Sequence, residues 1–212
     1  MLDLTHTIAE KYLRSFNYYF EIFKGLGGFI SQTGRALGSE YALAAPCVWV
    51  HESAVVSDAA FIGENVIIGA GTVVRQGAFI RGNAVIGENC VIGNSTEIKN
   101  SVLFDGVQTP HFNYVGDSIL GYKSHMGAGA VTSNVKSDKT PITAHICGVN
   151  VATGLKKLGA VLGDYAEIGC NCVLNPAAVV GARSTVYPLS SVRGEVPPDS
   201  IYKSPREIIK RI

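Results

Sequence analysis

The sequence predicts a mainly β chain wound into a parallel β-helix of hexapeptide repeats, with an N-terminal helical segment and a short C-terminal helix. Three observations predict it. Stepping by six from Val50 gives Val56, Ile62, Ile68, Val74, Ile80, Ile86, Ile92 and Ile98, an unbroken series of β-branched aliphatic residues. Four residues after successive members lie Ala54, Ala60, Val66, Thr72, Ala78, Ala84, Cys90 and Thr96, all small or short-branched. Gly63, Gly69, Gly87 and Gly93 directly follow their aliphatic residue, where a tight corner favours a residue without Cβ. One hexad cannot bury its aliphatic residue alone, so hexads stack, and three of them, about eighteen residues, close one triangular turn.

Residues 1–45 read as a helical cap and linker. Thr7-Ile-Ala-Glu10 has the capping-box pattern, and Tyr12, Leu13, Phe16, Tyr19, Phe20 and Phe23 follow at helical spacing as a packing face. Gly25-Leu-Gly-Gly28 lacks the preceding strand and the lysine of a phosphate loop, so it is taken as linker. The coil is expected over residues 46–198. Its period slips between Phe104 and Tyr114, which places a non-repeat insertion near Asp105 to Asn113, and it resumes with Tyr114, Leu120 and Met126. A stretch rich in Lys, Thr and Gly, residues 135–159, reads as an excursion loop. The repeat then returns as Leu162, Ile168, Leu174, Val180, Val186 and Val192. Residues 199–212 are expected to be helical, because Ser204-Pro-Arg-Glu207 combines an N-cap, a first-turn proline and a reaching glutamate.

With 212 residues the chain fits one domain with appended elements. The formal charge is +1 and no basic block is interleaved with aromatics, which disfavours nucleic acid. Every apolar run is broken within a few residues, and Asp3, Glu10 and Lys11 stand where a signal peptide needs an apolar core, so no membrane and a cytoplasmic address are expected. Cys47, Cys90, Cys147, Cys170 and Cys172 are odd in number and lack C-x-x-C spacing, so they are expected to be small buried thiols that stay reduced.

The histidine most suggestive of chemistry is His111, in Pro110-His-Phe-Asn-Tyr-Val-Gly-Asp117, where the register breaks. A neutral imidazole there can take a proton from an attacking amine or hydroxyl, although a solvated or packing histidine also fits. Gly77-Ala-Phe-Ile-Arg81, Gly93-Asn-Ser-Thr-Glu-Ile-Lys99, the His111–Asp117 stretch and Gly127-Ala-Gly-Ala-Val-Thr-Ser-Asn134 together resemble the acetyltransferase half of bifunctional N-acetylglucosamine-1-phosphate uridyltransferase/glucosamine-1-phosphate acetyltransferases and related sugar-phosphate nucleotidyltransferase-like proteins.

The resemblance implies a left-handed coil, acetyl-CoA as co-substrate, an amino-sugar phosphate acceptor and a homotrimer with the thioester between subunits. It puts Arg81 and Lys99 on the sugar phosphate, His111 as general base, Tyr114 and Asn134 on the sugar, and the backbone of Ala128 near the thioester carbonyl. Lys139, or less closely Lys136, matches a further substrate-binding lysine. Lys156, Lys157 and Lys203 are candidates for the phosphates of coenzyme A, although exposed lysines also serve simply as solvated charge. The uridyltransferase half is not matched, because the first 45 or so residues are too short for a nucleotide-binding α/β domain.

Two departures stand out. Pro110 replaces an asparagine usual before the histidine, and His125 replaces a sugar-binding asparagine. His125 could contact substrate, tune His111 or face solvent. Two rival functions are weighed. One is a zinc hydratase like the γ-carbonic anhydrases using His111, His125 and His145, although that family's close histidine pair is absent. The other is a non-catalytic module that binds a nucleotide sugar or coenzyme A.

Overall fold

The computed structural model describes residues 1–146 and 148–211. Cys147 and Ile212 lie outside the described residues. From Val48 onward the chain is a parallel β-helix whose short strands stack rung on rung: Val48 pairs with Val66, Val66 with Ala84, Val55 with Val73 and Phe61 with Phe79, each a step of 18 residues. The core is the inside of this coil. Ile68, Val74, Ile80, Ile86, Ile92 and Ile98 are fully or almost fully buried, and so are Val66, Thr72, Ala78, Ala84, Cys90 and Thr96 from the small-residue series.

The expected insertion at 105–113 does not exist. Gln108–His111 is an ordinary rung, paired with Val91–Asn94 above it and with His125 below. The slip comes instead from two corners that are each one residue short. Ile80 pairs with Ile98, but Ala84 pairs with Ser101 and Ile86 with Leu103, so the stacking step falls from 18 to 17. The second short corner lies between Val115 and Leu120, which stack on Ile98 and Leu103. Val115 therefore takes the inner position predicted for Tyr114, and Tyr114 faces outward, half-buried.

The excursion appears where the six-residue period stops. Ile119 pairs directly with Val161, and the intervening chain carries an antiparallel hairpin of Thr143–Ile146 and Val149–Ala152. After it the 18-residue step resumes, with Val161 on Val179 and Glu167 on Thr185.

The N-terminal segment is helical in short pieces: Leu4–His6, Glu10–Leu13, Tyr19–Lys24 and Leu26–Gly34. The capping box at Thr7 does not form, because Glu10 pairs with Arg14 at 3.0 Å; Glu21 does the reaching back, accepting from the Tyr18 amide at 2.9 Å. Gly25–Gly28 is no linker. Leu26–Gly34 is a helix laid against the coil, and a Cβ at Gly27 would stand 2.6 Å from Asn83 Oδ1. Gly34 likewise lies flat on the Trp49 ring, so the glycines permit contact rather than flexibility.

The C-terminal helix expected for 199–212 is also corrected. Ser200–Ser204 and Glu207–Lys210 form an antiparallel hairpin whose first strand extends the coil by pairing Ile201 with Thr185. Ser204 Oγ accepts from the Arg206 amide at 3.3 Å, so the serine closes a turn instead of capping a helix.

The thiols divide. Cys90 and Cys172 occupy inner positions and are buried, Cys47 is half-buried, but Cys170 sits on a corner and is exposed, against expectation. Among the described residues no helix is long and apolar enough to cross a membrane.

Candidate functional site

The stacking places side chains from distant hexads on one edge of the coil. Glu97, Tyr114 and Val131 are register neighbours on three successive rungs, and Gly82, Lys99 and Gly116 neighbour one another a few residues further on. Arg81 Nη1 donates to Glu97 Oε1 at 2.8 Å. Lys99 Nζ lies 3.1 Å from both oxygens of Asp117, and Asn134 Nδ2 reaches Asp117 Oδ2 at 2.5 Å and the Tyr114 hydroxyl at 3.1 Å. Arg81, Lys99, Tyr114 and Asn134, four of the residues singled out from sequence, thus share one polar edge. Burial pushes the Tyr114 phenol above its ordinary pKa; the Asn134 hydrogen bond opposes this, and the charges of Asp117 and Glu97 reinforce it.

His111 lies three residues before Tyr114, at the preceding corner. The register that pairs Gln108 with His125 stacks His111 over Ala128, and the Gly129 amide donates to the His111 carbonyl at 3.1 Å. Asn113, only 2% exposed, fastens this corner: its amide donates to the carbonyls of Gly127 and Ala130 at 2.8 and 3.1 Å, while its oxygen accepts from the His111 amide at 3.2 Å. Phe112 between them has φ 52°, a left-handed conformation unfavourable for a bulky residue and held here by its bond to the Asn94 carbonyl at 2.9 Å. The His111 ring is exposed, and among the described residues it contacts the Phe112 ring and forms no hydrogen bond with Arg81 or Lys99. The Ala128 amide finds no acceptor among the described residues.

The other residues lie apart. His125 Nδ1 lies 2.9 Å from Glu167 Oε2, in a cleft of about 360 Å³ lined also by Asn89, Gly106, Gln108 and Lys123. It is not joined to the Tyr114–Asn134 edge. Lys139 is exposed in the excursion, while Lys136 is held by Asp138 and Thr140. Lys156 and Lys157 are exposed further along the same excursion. Lys203 is on the C-terminal hairpin, 2.6 Å from Glu207 and over the Tyr187 ring. His145 bonds Asn150 on the excursion hairpin, and among the described residues no three metal-binding side chains converge.

Glu97, Asn100, Asn113 and Asp117 were not singled out from sequence as site residues. Their signal is the stacking step itself: each meets partners 14 to 18 residues away, a distance read only once the short corners are located.

Residues 71–184, more than half of the chain, match the GMPPB C-terminal domain. The chain belongs to this family. The chain is 32% identical over 96 residues to the bifunctional sugar-1-phosphate nucleotidylyltransferase/acetyltransferase of Sulfurisphaera tokodaii, covering 45% of this chain and 24% of the relative. It is 35% identical over 112 residues to the bifunctional protein GlmU of Methanococcus vannielii, covering 52% and 27%. It thus spans about a quarter of the length of these curated relatives. Among solved structures, the hexapeptide transferase family protein from Anaplasma phagocytophilum aligns at 16% identity and a TM-score of 0.43, covering 78% of this chain and 79% of that one.

Proposed function

We propose that this protein transfers an acetyl group from acetyl-CoA to the amine of an amino-sugar phosphate, with His111 as general base. The observation that carries this reading is the gathering of Arg81, Lys99, Tyr114 and Asn134 on one edge, beside the corner that stacks His111 over Ala128. The two bifunctional relatives support it, one of them carrying acetyltransferase in its name.

Each side chain has a task that its surroundings suit. The Arg81–Glu97 pair is exposed, so exchanging the carboxylate for a phosphate costs little, and the guanidinium fork matches two phosphate oxygens. Lys99 adds a second cation, with Lys139 a further candidate at the edge of the excursion. Tyr114, whose phenol stays protonated beyond its ordinary range, and Asn134 offer hydrogen bonds to sugar hydroxyls.

The amine nitrogen adds to the thioester carbonyl carbon, forming the C–N bond, while the His111 ring takes the N–H proton. The Ala128 amide donates to the carbonyl oxygen as that oxygen gains charge. The C–S bond then breaks and the sulfur leaves as a thiol with the proton that His111 held. Holding amine and thioester side by side removes a large entropic part of the barrier. Lys156, Lys157 and Lys203 would meet the phosphates of coenzyme A, and His125 would add a polar contact from its own cleft.

The working unit is a homotrimer in the cytoplasm, with the thioester lying between subunits; light scattering is expected to give three times the mass of the 22.4 kDa chain, and a monomer would contradict a shared site. The functional test is incubation of purified protein with acetyl-CoA and glucosamine 1-phosphate or galactosamine 1-phosphate. Stoichiometric release of free thiol and N-acetylated product is expected. Saturable binding of a nucleotide sugar without turnover would instead support a binding module.

A further inference from the structure

Four stacked corners, of which the last two are the short ones, each hold a residue in the left-handed conformation: Asn65, Asn83, Asn100 and Asp117, with φ of 57°, 49°, 49° and 50°. They are register neighbours in a single column. Asparagine serves this position well, because its short polar side chain tolerates a positive φ and can bond to the next rung, as Asn65 does to Asn83 at 3.2 Å. The backbone of the corner therefore needs no carboxylate. Yet at the fourth rung, and there alone among these four, the residue is an aspartate.

The change coincides with the approach of a lysine. Asp117 has a side chain only 4% exposed, and its two oxygens accept four contacts from three donors: Lys99 Nζ at 3.1 Å to each, Asn100 Nδ2 at 2.7 Å and Asn134 Nδ2 at 2.5 Å. A carboxylate offers about four lone-pair sites, so its accepting capacity is filled. Its backbone is fixed as well, the amide donating to the Lys99 carbonyl at 3.0 Å and the carbonyl accepting from Gly159, where the excursion rejoins the coil, at 2.8 Å. Through Asn134 the same carboxylate sets the Tyr114 hydroxyl.

We propose that Asp117 is the positioning residue of the acceptor site: its buried carboxylate, standing in a column of corner asparagines, fixes the Lys99 ammonium and the Asn134 amide, and through Asn134 the Tyr114 hydroxyl. The proposal rests on the acceptor-site reading above for its consequence in catalysis, but the fixing of Lys99 stands on its own. Lys99 is delivered with its amine held in place, rather than as a flexible arm that must be ordered when substrate arrives.

The test uses Asp117→Asn, which extends the column of asparagines and is expected to fold with an unchanged circular dichroism spectrum. Acylation of lysines by a neutral reagent, followed by peptide mass spectrometry, is expected to modify Lys99 at least threefold faster in Asp117→Asn than in the parent, with Lys156 and Lys157 unchanged. In steady-state kinetics the acceptor KM is expected to rise at least tenfold, with the acetyl-CoA KM within twofold. In a Lys99→Met background the same substitution is expected to change the acceptor KM by a smaller factor than in the parent, because the Lys99 contact is already lost and only the Asn134 contact is left to disturb. Equal labelling of Lys99 in both proteins would overturn the proposal, as would strictly additive effects on KM or failure of Asp117→Asn to fold, which would make the carboxylate a requirement of the corner. A parent protein that turns over neither amino-sugar phosphate refutes the acceptor reading alone, and the labelling ratio still decides the role of Asp117.

Discussion

The carbonyl of Pro110 occupies the space that a Cβ on Gly93 would need. Gly93 and Pro110 are stacked on successive rungs at the corner that leads into His111, so a residue without a side chain lets the proline backbone pass. Gly93→Ala is expected to lower stability by about 1–3 kcal/mol, since backbone pressed on backbone has no rotamer through which to relax. Denaturant melts of the two proteins check this, and unchanged stability would mean that the corner shifts freely.

Arg81 and Lys99 are both cationic, but they differ in what holds them. Arg81 is paired on the surface with Glu97, and Lys99 is paired with a nearly buried carboxylate. Arg81→Ala is expected to raise the acceptor KM about tenfold while leaving the melting temperature close to that of the parent, because an exposed pair contributes little to folding. Initial rates against acceptor concentration, together with thermal melts, separate the two effects.

The four described cysteines predict a graded thiol titration. Cys170 is exposed and is expected to react with a disulfide reagent first. Burial pushes the Cys90 thiol up to about 12, despite hydrogen bonds that oppose the shift, so it is expected to stay silent until the protein unfolds. Peptide mapping of the labelled protein, before and after denaturant, gives the order.

Tyr19 supplies a pH test. Its hydroxyl is buried with no hydrogen-bond partner among the described residues, and burial, aided by the charge of Glu195, pushes the phenol from 10.0 to about 12. The folded value lies above the unfolded one, so this contribution to stability is whole below pH 10 and is lost as pH rises through about 12. Tyr19→Phe is expected to flatten that loss and to stabilise the protein by roughly 1 kcal/mol at neutral pH, because it removes an unsatisfied buried hydroxyl. Melting curves from pH 8 to 12 read both effects.

The inner ladder from Val66 to Ile98 was legible because a period of six marks every rung, and the excursion was legible because that period stops. The short corners were not. Leu103 and Phe104 are both apolar and both fully buried, so a strict step of six lands plausibly on Phe104 while the coil stacks Leu103 on Ile86. Ser204-Pro-Arg-Glu207 suits a helix start and a hairpin turn alike, and pairing of Ile201 with Thr185 on the last rungs decides for the hairpin. The cations of the site were visible as residue types in a familiar pattern. Their counter-ions were hidden, because Glu97 and Asp117 are brought to Arg81 and Lys99 by the stacking of whole turns.

The placement of His111 over Ala128, at the corner fastened by Asn113, is the geometry on which the proposed acetyl transfer rests. The most direct measurement is the rate of thiol release from acetyl-CoA, in the presence of glucosamine 1-phosphate, by the parent protein and by His111→Ala. Loss of a general base is expected to lower kcat by roughly 10²–10⁴-fold while leaving the acetyl-CoA KM within a few-fold. A His111→Ala protein that releases thiol at the parent rate would contradict the assignment.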